Sequence, residues 1–212
     1  MKIGIIGAGF VGRAVAKVAV ALGHQVMISN SRGPQTLFSH RYALRGVELG
    51  TAEEAASFGA IVVVATPMSA IYSLPAAALV GKIVIDANNY YPERDGRIAE
   101  LDNGDTTTSE LVARHLAGAR IVKAFNNIPM VELEPDARSA GAPDRRALPI
   151  TGDDVESKTI VKQLLEDYGF DVVDAGPLSE GWRFERGMPA YCVKMDAGTL
   201  KRTLAATERP TA

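Results

Sequence analysis

Short apolar runs alternate with amphipathic stretches along the whole chain, and that rhythm sets the expected elements. Lys2–Ile6 reads as a buried strand, the Ala/Val-rich stretch through Leu22-Gly23 as a helix, and Gln25–Ser29 as a second strand. Pro34 to Leu44 reads as a helix opening on a favourable proline, and Val47–Leu49 as a short strand. Thr51-Ala52-Glu53-Glu54 is a capping box that opens a brief helix through about Phe58. Ala60–Ala65 carries no polar alternation, as expected of a central strand covered on both faces. Ser69 to Leu79 predicts a helix interrupted by Pro75, Lys82–Ala87 a strand, and Arg120–Phe125 a sixth strand. Between those two strands a second capping box, Thr107 to Glu110, opens a helix through Gly118.

The pattern then changes. Glu134 to Arg146, rich in Pro, Gly, Asp and Arg, reads as a mobile loop. Leu148–Thr151 predicts an edge strand whose pairing Pro149 limits. Asp153 to Tyr168 is an amphipathic helix, with Val155, Ile160, Val161, Leu164 and Leu165 mostly on one face. Phe170–Asp174 gives an eighth strand, Met195 to Thr207 a last helix, and Glu208 to Ala212 a disordered tail. The alternation predicts an α/β fold of Rossmann type: a doubly wound, mostly parallel sheet of about eight strands with a short helical C-terminal appendage. One domain over residues 1–212 is expected.

The first strand runs directly into Gly7-Ala8-Gly9-Phe10-Val11-Gly12 and then into the first helix. Strand, GxGxxG, helix and second strand in that order are the context a dinucleotide site requires. Gly7 permits the tight turn, Gly9 lets backbone approach a pyrophosphate, and Gly12 allows close helix–strand packing. The free N–H groups at the helix start favour phosphate.

The end of the second strand selects the dinucleotide. An NAD site wants an acidic residue there for the ribose 2′-hydroxyl, whereas this chain has Asn30-Ser31-Arg32-Gly33. A guanidinium fork and a hydroxyl suit a 2′-phosphate, which points to NADP(H). Taken alone, Ser31-Arg32 is also an ordinary polar turn before Pro34.

At 212 residues, 47% hydrophobic and with a formal net charge of −2, the chain has neither the basic excess of a nucleic-acid binder nor an apolar run that spans a bilayer. The first strand begins at Lys2, directly after the initiator, so no leader is expected and a cytoplasmic location is the default. The single cysteine, Cys192, stands in an apolar setting and reads as a buried, inert thiol; no metal site is expected.

Ligands of such sheets bind beyond the carboxyl ends of the strands. There stand Ala65-Thr66-Pro67, Ala87-Asn88-Asn89-Tyr90-Tyr91 and Asn126-Asn127-Ile128-Pro129. The first segment would lie beside a nicotinamide. Asn89, Tyr90, Asn126 and Asn127 suit a planar acceptor, although Asn and Pro are also common turn formers. Trp182 and Arg183, in a charged segment with the only tryptophan, read either as further acceptor contacts or as a surface or dimer contact. His24, His40 and His115 fall away from the carboxyl ends, and Tyr191 is one residue too close to Lys194 for a Tyr-xxx-Lys pair. No dedicated catalytic acid emerges, which suits hydride passed to a flavin-like ring that spreads charge.

The chain resembles the coenzyme F-420-dependent NADP oxidoreductases. The resemblance rests on Gly7-Ala8-Gly9, Ser31-Arg32, Thr66-Pro67, the segment Thr151 to Lys158 and Asp174-Ala175-Gly176-Pro177-Leu178. It implies NADP(H) on the glycine turn, Ser31 and Arg32 at the 2′-phosphate, and hydride transfer to a flat acceptor such as F-420 or a flavin. It implies a homodimer as well, with the part from about residue 177 completing the acceptor pocket. Two features depart from the family pattern. The turn is one residue shorter than the Gly-Gly-Thr-Gly form, and Asn88–Tyr91 and Trp182–Glu185 are more polar and aromatic than expected. An NADPH-binding sensor or redox-partner domain is the alternative reading. Pyrroline-5-carboxylate reductases and hydroxyacid dehydrogenases share the first half but continue into a long helical domain.

Overall fold

The computed structural model describes residues 1–40 and 44–209. Its strands are β1 Lys2–Ile6, β2 Gln25–Ser29, β3 Val47–Gly50, β4 Ile61–Val64, β5 Ile83–Asp86, β6 Arg120–Lys123, β7 Ala147–Gly152 and β8 Asp171–Asp174. The helices are α1 Phe10–Ala21, α2 Ala52–Phe58, α3 Ala76–Leu79, α4 Pro92–Asp95, α5 Ala99–Asp102, α6 Thr108–His115, α7 Val155–Asp167 and α8 Ala197–Ala206. The strands form one eight-stranded sheet in the order β3-β2-β1-β4-β5-β6-β7-β8. Every neighbouring pair is parallel except β6 and β7. This is the doubly wound Rossmann-type architecture, with the order reversing at β1 and β4.

The two-residue period of β1 divides its side chains between two cores. Ile3 and Ile5 join α1 and α7 on one face, through Val15, Ala16, Ala19, Val161, Leu164 and Leu165. Ile6 joins α2 and α6 on the other, with Ala55, Ala56, Leu111 and Val112. Gly4 faces α2 so closely that a Cβ there would lie 2.0 Å from the Ala55 carbonyl oxygen. Both capping boxes form as expected: Thr51 with Glu54, and Thr107 with Glu110. Asp154 and Asp196 cap α7 and α8.

The structure corrects several expectations. Pro34 to His40 is a 3-10 helix, and the expected continuation to Leu44 runs into residues 41–43, outside the described residues. Residues 210–212 of the expected disordered tail also lie outside them. Leu148–Thr151 belongs to an interior strand: β7 is buried throughout and lies between β6 and β8. Pro149 is tolerated because β6 pairs β7 only at Gly152 and Thr151. The N–H groups of Asp171, in β8, and of Ala175 just after it reach the carbonyls of Arg146 and Ile150, so the missing N–H of Pro149 faces the other side.

The stretch before β7, expected to be mobile, is tied down by buried Arg146, whose Nη1 donates to Glu132 at 2.6 Å and Asp136 at 2.9 Å. The short helices α4 and α5 and the 3-10 segment Leu178–Phe184 had no periodic signal, being one or two turns long. A small cluster of Phe184, Ala190, Leu200 and Leu204 with Ala147 seats α8 and its preceding segment beside β7 and β8. No helix among the described residues is long and apolar enough to cross a membrane.

Gly4→Ala should therefore destabilise the chain by about 2 kcal/mol or more, since an added methyl must push α2 from the sheet. A urea midpoint unchanged from wild type would show that α2 gives way freely.

Candidate functional site

A cleft of about 680 Å³ opens at the carboxyl ends of β1, β2 and β4. Gly7 adopts φ 115°, its N–H donates to Ser29 O at 3.0 Å, and a Cβ on it would strike Ala65 O. Gly12 is held against the Gly7 carbonyl by the same kind of close approach. Gly9 differs from both: a Cβ there meets nothing within 4 Å, because the position faces open space. Gly9 is also the N-cap of α1, with no side chain capping the helix and no acidic residue in its first turn. Free N–H groups, the positive end of a helix dipole and a backbone open to close approach fit a pyrophosphate.

The structure brings Gly7, Ala8, Gly9, Asn30, Ser31, Arg32, Ala65, Thr66 and Pro67 to the lining of this one cleft. Asn30 shapes its far end: its Oδ1 accepts from Arg32 N at 3.2 Å and its Nδ2 donates to Thr36 Oγ1 at 2.8 Å. Ser31 and Arg32 are exposed there. Thr66 Oγ1 is buried and unpartnered. Thr51, Ala52 and Glu53 complete the wall. Sequence reasoning read them only as a helix cap, although the capping box itself places them at the end of β3.

Other expected cofactor residues lie elsewhere. Ala87 and Asn88 are buried behind the cleft, where Asn88 Oδ1 accepts from Thr66 N at 2.8 Å and so fixes the loop after β4. Phe10 and Val11 line a second groove, of about 700 Å³, that begins where the first cleft ends along the turn. Phe125, Ile128, Pro129, Met130 and Val131 form its apolar wall, and Asn89, Asn126, Tyr91, Tyr191 and Cys192 its polar one.

The acceptor expectations divide in the same way. Asn89 and Asn126 line the groove but grip each other: Asn89 Nδ2 donates to Asn126 O at 2.7 Å, and Asn126 Nδ2 to Asn89 Oδ1 at 3.2 Å and Phe184 O at 3.1 Å. Asn127 is buried off the groove, its carbonyl accepting from Cys192 N at 3.1 Å. Tyr90 and Trp182 line a separate, smaller cavity of about 290 Å³. Tyr90 Oη is taken up by Asp102, Gly96 O and Ile98 N. Arg183 donates to the carbonyls of Leu204 and Thr207, closing the end of α8.

Tyr191, set aside for its spacing from Lys194, lies on the groove, while Lys194 pairs with Asp136. Cys192 is only half buried and lines the groove, correcting its reading as a core thiol; burial still pushes the thiol up.

Residues 2–90 match the family described as NADP oxidoreductase, coenzyme F-420-dependent. A candidate F-420-dependent NADP reductase of Arthrobacter sp. FB24 superposes with a TM-score of 0.72 at 27% identity, over 85% of this chain and 87% of that one. Over residues 2–90 the chain is thus similar to this family of NADP oxidoreductases. The protein SMa0349 of Sinorhizobium meliloti superposes with a TM-score of 0.79 at 29% identity, over 92% of this chain and 95% of that one. The metalloreductase STEAP3 of Rattus norvegicus is 30% identical over 186 residues, 87% of this chain. The Escherichia coli protein YjhV is 34% identical over 62 residues, 29% of this chain. The chain spans 36% and 45% of the lengths of these two curated relatives.

Beneath these loops lies a polar centre that sequence reasoning did not single out, Lys123 and Asp86 both falling inside expected strands. Both are fully buried, 4.0 Å apart. Lys123 Nζ donates to Thr108 Oγ1 at 2.6 Å and lies 3.3 Å from Asn88 O, Ser109 Oγ and Glu185 Oε1. Ser109 Oγ donates to Asp86 Oδ2 at 2.5 Å. Burial pushes the Asp86 carboxyl above the usual carboxylate range, against the pull of Lys123, Ser109 and the Asn88 N–H.

Removing one member of a buried ion pair leaves the other uncompensated, at a cost of about 3 kcal/mol or more. Lys123→Met should lower the unfolding free energy read from urea titration by that amount, and adding Asp86→Asn should restore part of it. A single variant as stable as wild type would show that water reaches Asp86.

Proposed function

We propose that the chain binds NADP(H) in the cleft and transfers hydride between it and a flat acceptor, such as F-420 or a flavin, held in the adjoining groove. The observation that carries this reading is the step from Gly9 to Phe10. Gly9 opens the dinucleotide cleft and Phe10 lines the groove, so ligands on the two sides meet at one turn. When bound, NADPH supplies the hydride; the chain supplies position. N–H groups around Gly7–Gly9 hold the pyrophosphate, Ser31 and Arg32 hold the 2′-phosphate, and Thr66-Pro67 back the nicotinamide. The apolar wall of Phe125, Ile128 and Met130 excludes water from the meeting point. Alignment and desolvation then do most of what a flavin-like acceptor needs.

Anaerobic NADPH oxidation against F-420, FMN, FAD and a ferric chelate, with NADH as control, tests the whole reading. Turnover with a flat acceptor and preference for NADPH is expected; tight NADPH binding without turnover would favour a sensor. Gly9→Val should abolish dinucleotide binding yet leave the urea midpoint near wild type, because its side chain enters open cleft rather than protein. Retained binding would place the pyrophosphate elsewhere. Arg32→Ala should weaken NADPH about 10–100-fold, the worth of one or two charge-assisted hydrogen bonds, with little effect on NADH. Equal weakening of both, read by calorimetry, would remove the 2′-phosphate from Arg32.

A further inference from the structure

Two phenols meet at the groove from distant parts of the chain. Tyr91 follows β5, Tyr191 belongs to the C-terminal segment, and their hydroxyl oxygens are 2.5 Å apart. Both residues line the groove. Each is pinned by its surroundings. Tyr91 N donates to Asp95 Oδ2 at 3.0 Å, and the guanidiniums of Arg94 and Arg186 lie 4.8 Å and 4.9 Å from its ring centroid. Those cations are anchored in turn by Asp95 and Glu93. Tyr191 N donates to Met188 O at 2.9 Å, and its neighbour Cys192 is held in the left-handed region at φ 58°. Phe125, at φ 62°, also borders the groove. Non-glycine residues in that region cost about 1 kcal/mol or more and gather where a site dictates the backbone.

Two hydroxyls bonded to each other use one hydrogen between them and leave the second to turn to a third atom; the neighbouring Cys192 thiol, in hydrogen-bonding reach of Tyr191, is the group a ligand oxygen would displace. We propose that Tyr191 and Tyr91 are a proton-donating pair for the groove's occupant, which is then a flat conjugated carbonyl compound of the quinone class. The inference rests on the hydride-transfer reading of the groove. The nicotinamide C–H bond of NADPH breaks and its hydrogen, with both electrons, joins the acceptor. The displaced electron pair ends on a carbonyl oxygen, which takes the proton of Tyr191 Oη. Tyr191 takes that of Tyr91, and the charge left on Tyr91 faces Arg94 and Arg186 until water restores the proton. NADPH is oxidised by two electrons and the acceptor, gaining a hydride and a proton, is reduced by two.

The test compares Tyr191→Phe and Tyr91→Phe in the full chain, with a naphthoquinone and FMN as alternative acceptors for NADPH. For Tyr191→Phe, turnover of the naphthoquinone should fall about 100-fold, the usual worth of a positioned general acid, and its solvent deuterium isotope effect should vanish. The loss with FMN should be much smaller, because a flavin ring spreads the charge. Tyr91→Phe should fall between. Naphthoquinone binding, followed by fluorescence quenching without NADPH, should stay unchanged in both variants.

Equal losses with both acceptors, or a loss matched by weaker binding, would make the pair structural and overturn the proposal. So would wild-type turnover of FMN but not of the naphthoquinone. Failure of every acceptor in the wild type would instead overturn the hydride-transfer reading beneath it.

Discussion

A fully buried lysine needs several partners to be stable, and in this chain those partners come from elements far apart in the sequence. Lys123 ends β6, Asp86 ends β5, Thr108 and Ser109 open α6, and Glu185 closes the 3-10 segment near the C-terminus. The lysine has its full set of partners only when all four elements arrive together, and an uncompensated charge in that interior is costly. The network therefore does what apolar packing does poorly: it fixes direction as well as proximity. It also carries the C-terminal segment onto the sheet, and Tyr191 with it. Gly181 packs against the Lys123 stem, where a Cβ would be 3.1 Å from Cδ.

From that centre the order spreads outward through amides. Asn88 passes it to the loop after β4 by accepting from Thr66 N, while Lys123 Nζ holds the Asn88 carbonyl. Asn89 and Asn126 join the loops after β5 and β6 to one another and to Phe184. The rim of both cavities is thus a set of loops bonded to one another. Such a rim suits a reaction whose rate depends on the distance and angle between two flat rings.

The fold was legible because its signals are local. A strand of Ile and Val, a glycine turn and two capping boxes each carry their meaning within a few residues, and the dinucleotide cleft inherits that legibility from the turn. That Gly7, Gly9, Ser31, Arg32 and Thr66 would line one cleft was readable because strand ends in a parallel sheet necessarily gather at one edge. What was not legible depends on pairings between residues far apart in sequence. Pro149 looked like an edge residue because nothing in Leu148–Thr151 reveals that β6 covers only two residues of that strand. Lys123 gave no signal within its own strand because its partners lie at positions 86, 108 and 185.

The expected acceptor contacts that the scaffold bonds to itself have one physical cause. Asn126, Asn127, Tyr90, Trp182 and Arg183 were chosen for having hydrogen-bonding or stacking groups near strand ends, but loops at strand ends have backbone groups of their own to satisfy. Amides and guanidiniums are the side chains best able to serve those groups, so the polar residues of such a rim are consumed in building it. Arg183 on the carbonyls at the end of α8 and Asn126 on Phe184 O are cases of this. What remains to face a ligand is backbone N–H at the glycine turn, an apolar wall, and groups whose bonding capacity the scaffold leaves partly unused. A hydroxyl both donates and accepts, so two phenols can satisfy each other and still hold a hydrogen in reserve. In a groove where Asn89 and Asn126 direct amide N–H groups to each other and to Phe184 O, the pair at positions 91 and 191 is a polar feature with capacity left for chemistry.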